Sequence, residues 1–275
     1  MSTLSSEIAD DSITVPKLLG AVATQTRVIN ALILRETKTR YGNYKIGFLW
    51  ALIEPLVGVT VFVMIFANLR NDSPSGMPLV AFMLVGFCCY GLFRDPWGSL
   101  QGSISNSRHL LTFPQVTTFD IILARAILEV LVCFFVLGFL LYMAYLAGFE
   151  VRCENPLGVL VACCLLAILG TGAGFLFASL EPLIPSVKQI TQVLNRPLYF
   201  GSGLFYTADT IPEAARDYLL YNPLLHIMEL LRSEFFYEFE TSHGSWTYAT
   251  LWSFSTLAVG LLTHQAFHKR AIIKK

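Results

Sequence analysis

Between Leu32 and Ala67 a basic amphipathic stretch runs straight into an apolar segment, and this junction limits the folds open to the chain more than any other feature. Arg35, Lys38, Arg40 and Lys45 precede an apolar run from Ile46 to Ala67. Roughly 20 such residues suffice to cross the hydrocarbon of a bilayer. Glu54 and Pro55 sit near the middle of the run. A carboxylate at that depth is costly and marks a functional interior rather than a lipid face. The chain is therefore read as an integral membrane protein.

Composition supports this reading. Of 275 residues, 55% are apolar and only 14% charged, about half the charge fraction of a soluble domain. Nineteen basic residues balance nineteen acidic ones, which gives no indication of a nucleic-acid partner. No cleavable leader is expected, because residues 1–45 are polar and the first apolar run is too long for one. Five of the six cysteines (Cys88, Cys89, Cys133, Cys163 and Cys164) lie inside apolar runs, Cys153 does not, and no C-x-x-C spacing occurs. They read as small packing residues rather than as metal ligands or a disulfide framework.

The expected fold is an all-α integral membrane protein with six transmembrane helices. The runs lie near 46–67, 78–99, 119–147, 156–180, 187–206 and 245–266. The third is longer than a bilayer needs, so it tilts or protrudes. The second carries Arg94, Asp95 and Pro96 in its last turns. Basic residues set the orientation. With the N-terminus cytoplasmic, one side holds twelve Lys and Arg (six in residues 1–45, then Arg108, Lys188, Lys269, Arg270, Lys274 and Lys275). The other holds four: Arg70, Arg152, Arg216 and Arg232. Both termini are thereby placed in the cytoplasm. The domains follow: a cytoplasmic N-terminus at 1–45, a six-span body at 46–266 and a basic tail at 267–275.

Two segments are more than loops. Residues 207–244 are apolar in patches but broken by Pro212 and Asn222-Pro223, so two short helices are expected. Acidic residues crowd there: Asp209, Glu213, Asp217, Glu229, Glu234, Glu238 and Glu240. Re-entrant or interfacial helices on the outer side fit, provided they line protein or water; an ordinary amphipathic outer loop is the alternative. In the N-terminal stretch Val22, Ile29 and Ile33 share one helical face, with Arg27 and Lys38 opposite. Such a helix lies in the cytoplasmic interface among anionic headgroups, or merely anchors the topology.

A series of short motifs then points to a family. Arg40-Tyr41-Gly42 is followed by Ile46-Gly47-Phe48-Leu49-Trp50 and by Glu54-Pro55. Leu111-Thr112-Phe113-Pro114 comes next, then Pro197-Leu198-Tyr199-Phe200-Gly201-Ser202-Gly203. Asn222-Pro223-Leu224 closes the series, with His226, Glu229 and Arg232 after it. In this order, over about 200 residues, the chain resembles the membrane permease subunits of bacterial ABC-2 type exporters, most of all the capsular polysaccharide branch. The resemblance implies a homodimer working with two separate cytoplasmic ATPase subunits, which use ATP and Mg. It further implies a bacterial inner-membrane location, a lipid-linked, acidic polysaccharide as substrate, and periplasmic and outer-membrane export components. No cofactor on this chain, no catalytic residue and no metal site is expected. Consistent with that division of labour, no G-x-x-x-x-G-K-[ST] loop occurs. The Gly170-Thr171-Gly172-Ala173-Gly174 run lacks an adjacent lysine and reads as close helix packing.

By the same resemblance, Arg27, Arg35, Lys38 and Arg40 belong to an interface helix touching the ATPase. The 101–117 loop, with Ser105, Asn106, Arg108, His109, Phe113 and Pro114, supplies a coupling helix, and 207–244 caps the exit. Candidates for a substrate conduit are Trp50, Glu54, Arg196 and Tyr199. Aromatic side chains offer flat, rigid surface to sugar rings, and an arginine attracts phosphate or carboxylate. Glu54 is equally open to an architectural reading beside its helix-bending proline, or to an interhelical clamp. Arg125 and Glu129, four apart, are expected to pair on one helical face, and Arg94 with Asp95 to snorkel from a helix end. His264 and His268 are also four apart, but without a third ligand or an adjacent glutamate they read as interfacial histidines.

Other functions weighed on the sequence are an ABC-2 permease for O-antigen, teichoic acid or another large amphiphile, and an ion-coupled secondary transporter. The latter favours intramembrane carboxylates and internal repeats, and no repeat relates 46–147 to 156–266. A membrane-embedded enzyme on lipid-linked sugar lacks a visible catalytic constellation.

Overall fold

Capping residues mark where several of the helices begin. In the computed structural model, which describes residues 15–41, 47–69, 77–184, 186–237 and 239–273, Thr117 and Asp120 form a reciprocal capping box. Asn155 before Pro156 and Asn222 before Pro223 cap two further helices, each proline placed where a helix needs no N–H. Lys45, Arg70, Glu238, Lys274 and Lys275 lie outside the described residues, as do the side chains of Lys17, Phe48, Lys269 and Arg270.

The order is α1 (Val15–Tyr41), α2 (Gly47–Leu69), α3 (Leu79–Leu100), α4 (Ser103–Asn106), a 3-10 turn at Arg108–Thr112, α5 (Thr118–Leu146) and α6 (Pro156–Leu180). There follow α7 (Val187–Gly201), a 3-10 turn at Ala208–Thr210, α8 (Glu213–Leu219), α9 (Pro223–Phe235) and α10 (Trp246–Ile273). No strand occurs among the described residues.

Among the described residues four helices are long and apolar enough to cross a membrane: Leu49–Phe66, Leu79–Leu100, Thr118–Leu146 and Pro156–Leu180. The remaining two predicted runs differ. Residues 187–206 are not one helix: α7 ends at Gly201, and the chain turns through Gly203 at φ +75°. Its 15 residues reach about 22 Å at 1.5 Å per residue. α10 has 28 residues, but Thr247, Thr250, Ser253, Ser255, Thr256 and Thr263 dilute its apolar character. Arg94, Asp95 and Pro96 do not end α3, which continues to Leu100.

α6 is the centre of the bundle, packed on α3, α9 and α10. Its glycines make that possible. A Cβ on Gly170 would strike the backbone of Phe93 in α3, and one on Gly172 would lie 2.5 Å from the Leu257 nitrogen in α10. A buried network ties one end of the bundle. His264 bonds Ser179 at 3.1 Å and Thr118 at 3.2 Å, so α5, α6 and α10 meet there. His264 is thus a buried helix-linking residue rather than an interfacial one.

The opposite end is organised by Arg232 of α9, fully buried. Its guanidinium donates to the carbonyls of Leu204 and Tyr206, both at 2.8 Å, and lies 3.9 Å from the Phe82 ring centre. Glu229, one turn earlier and also buried, accepts from the Ala208 N–H and the Thr241 hydroxyl.

By contrast α2 is barely covered. Leu49, Trp50, Leu56, Val57, Val61, Met64 and Ile65 are all exposed. An apolar helix so uncovered within its own chain needs lipid or another protein surface against it.

Candidate functional site: a charged cleft between α2, α3, α5 and α7

Helical periodicity builds the site. Ala51, Glu54, Gly58 and Phe62 form one stripe of α2; Phe87, Gly91, Arg94, Asp95 and Gly98 form one of α3; Glu129, Val132, Cys133 and Val136 form one of α5. Such i, i+3, i+4, i+7 sets share a helix face. With Asn195 and Tyr199 of α7 and Arg40 from the end of α1, they enclose an open cleft of about 600 Å³. Glycine keeps the walls close: a Cβ on Gly58 would touch the Phe87 ring at 3.0 Å.

One side of the cleft is charged. Arg94 bonds Glu54 at 2.9 Å and Asp95 at 2.8 Å, so it bridges α2 to α3 rather than snorkelling from a helix end. The Cys133 thiol approaches Asp95 at 3.6 Å. Glu129 is paired with Arg40. The expected Arg125–Glu129 pair does not form: Arg125 instead bonds Glu36, its Nε at 2.8 Å, and the Ser99 carbonyl at 3.2 Å. Two side chains four apart on α5 thus both turn to α1. Intrahelical pairs of this kind contribute only about 0.2–0.5 kcal/mol, little enough for a neighbouring helix to outbid them.

Aromatic rings complete the lining through Phe62, Phe87 and Tyr199, backed by the buried Phe205 and Tyr90. Phe62 lies 4.5 Å from Phe205 between ring centres, Tyr199 lies 5.3 Å from Phe205, and Tyr90 lies 5.4 Å from Tyr199. These are the separations of interacting rings. A cleft with fixed charges and flat apolar rings suits a ligand that offers hydroxyls on one face and C–H surface on another.

The sequence candidates are dispersed over the molecule. Glu54 and Tyr199 line the cleft, whereas Trp50, 64% exposed, and Arg196 lie on exposed helix surface outside it. In the 101–117 loop Ser105, Asn106, Arg108, His109, Phe113 and Pro114 are all exposed. Arg27 and Lys38 are exposed on α1, while Arg35 contacts His109 at 2.9 Å and Arg40 turns into the cleft. Sequence reasoning missed Phe62, Phe87, Asn195 and the Arg40–Glu129 contact. The first two were accessible as the helical repeats of Glu54 and Arg94. Among the described residues no group of three or more His, Cys, Asp or Glu could hold a metal.

The model of the ABC-2 type transporter family matches residues 27–236, which include every element of the cleft. The chain belongs to that family. It is accordingly a transporter membrane subunit. Along most of its length this ABC-2 chain is similar to KpsM, the polysialic acid transport protein of Escherichia coli, at 30% identity covering 88% of this chain and 93% of KpsM. It is also 30% identical to BexB, a capsule polysaccharide export inner-membrane protein of Haemophilus influenzae, over 90% of this chain and 94% of BexB. CtrC, the protein of the same description from Neisseria meningitidis serogroup B, matches at 30% over 90% and 94%.

Proposed function

We propose that this chain is the permease subunit of an ATP-driven exporter that carries lipid-linked, acidic capsular polysaccharide across the bacterial inner membrane. The observation that carries the reading is the near end-to-end similarity to capsule exporters. The cleft supports it, because its rings and ion pairs suit a sugar polymer better than an inorganic ion. Two copies pair, and each works with a cytoplasmic ATPase that supplies ATP and Mg chemistry; periplasmic and outer-membrane components continue the route.

In this reading α2, α3, α5 and α6 span the bilayer, joined by α7 with its following turn and by α10 to make six. Both termini face the cytoplasm, as the basic residues argue. The exposed residues of the 101–117 loop seat in the ATPase, α1 lies at the cytoplasmic surface, and α8 with α9 re-enter from the outer side. Glu54 and Tyr199 face the polymer; Trp50 and Arg196 reach it from the mouth of the conduit or across the dimer.

The test is genetic and chemical together. Cells lacking this chain should retain polymer inside, and the wild-type gene should return it to the surface. Polymer reaching the surface without the chain would refute the reading.

A further inference from the structure

α1 is bound to α5 by a ladder of polar contacts. Gln25 bonds Asp120, Glu36 pairs with Arg125, and Arg40 pairs with Glu129. Positions 36 and 40 of one helix thus face 125 and 129 of the other, in the same sense, and the two charged rungs have opposite polarity. That alternation fixes the register. If α1 slid one turn forward, Glu36 would meet Glu129; one turn back, Arg40 would meet Arg125. Either slip sets like charges together at partly buried positions, where such repulsion is screened little. Glu129 is only 2% exposed, so its carboxylate needs the cation opposite it.

Both ends of this unit lead to working parts. At one end Arg35 contacts His109, on the exposed part of the 101–117 loop, and Asp120 caps α5 directly after that loop. At the other, Glu129 begins the α5 stripe that lines the cleft, which the Glu54–Arg94 bridge also lines.

We propose that α1 and α5 move as one rigid lever, locked by the Glu36–Arg125 and Arg40–Glu129 rungs, which delivers displacement of the 101–117 loop to the α5 wall of the cleft. Arg40 and Glu129 are then positioning residues. The inference rests on the exporter reading given above.

A crosslink distinguishes a lever from a sliding contact. Glu36→Cys and Arg125→Cys are combined in a chain whose exposed Cys153 and Cys164 are serine, assembled with its ATPase partner, and joined by a short bifunctional maleimide. If α1 and α5 move together, the link stands in for the removed Glu36–Arg125 rung, and the linked protein exports polymer within about twofold of wild type. If α1 must slide along α5, linkage halts export while ATP hydrolysis continues, and the lever is overturned. The charge series gives a second reading. Arg40→Glu and Glu129→Arg alone should each lower export about tenfold or more, and reversing both rungs together (Glu36→Arg, Arg40→Glu, Arg125→Glu and Glu129→Arg), which keeps their alternation, should restore most of it. Wild-type export from the single variants overturns the proposal, as does a folded chain with both rungs reversed that exports no better than either. Should a single variant fail to fold, the crosslink still decides. If the wild-type chain exports nothing, the exporter reading falls and the lever with it; if it exports and the linked chain does not, only the lever falls.

Discussion

Arg94 is the residue on which the cleft turns, because it holds α2 through Glu54 and its own helix through Asp95. Both side chains of the Arg94–Glu54 pair are well exposed to the cleft, at 38% and 56%. Such a pair contributes no more than about 1 kcal/mol to stability. Glu54→Gln should therefore leave the thermal midpoint in detergent almost unchanged while lowering export several-fold. Unaltered export would remove the pair from the transport route. Arg232 makes the opposite prediction. It is fully buried, and its hydrogen bonds serve two backbone carbonyls, so Arg232→Ala should cost about 3 kcal/mol and be seen as loss of folded protein on heating. At this scale the sequence was legible where one residue is anomalous for its surroundings, as Glu54 is in an apolar run. It was not legible where partners are remote. Spacing made Arg125 and Glu129 neighbours, yet each found its counter-charge about 90 positions away on α1, and no local pattern carries that information.

Among the helices, breaks were easier to read than continuations. Asn222-Pro223 and Pro212 mark where α9 and α8 begin because proline excludes the preceding residue from helix. Pro55, Pro96 and Pro197, by contrast, lie inside helices that carry on through them. Where the sequence suggested a fifth continuous run, Gly201 to Gly203 ends α7, and the rings of Phe205 and Tyr199 then pack together. The glycine run of α6 reads from sequence as close packing, but which helices it approaches is a property of the assembled bundle. Gly172→Val should force α6 from α10 at a backbone contact and cost about 1–3 kcal/mol, measured as a lower unfolding temperature. In the 101–117 loop, Arg108→Glu should leave ATP hydrolysis running in the assembled complex while export falls. Export equal to wild type would count against a coupling role for this loop.

For the whole molecule, native mass spectrometry of the gently solubilised complex should show two copies of this chain with two ATPase subunits; a stable oligomer lacking a nucleotide-binding partner would argue for a different energy source. The almost bare apolar surface of α2 has a consequence in heredity. If two chains complete one another along that helix, a folded but inactive copy does not merely fail; it occupies a partner. Co-expressed equally with the normal gene and pairing at random, it leaves only about a quarter of the dimers wholly normal. A cleft mutant should thus be dominant, thinning the capsule of a cell that still carries an intact gene, whereas a mutant too unstable to pair should be recessive.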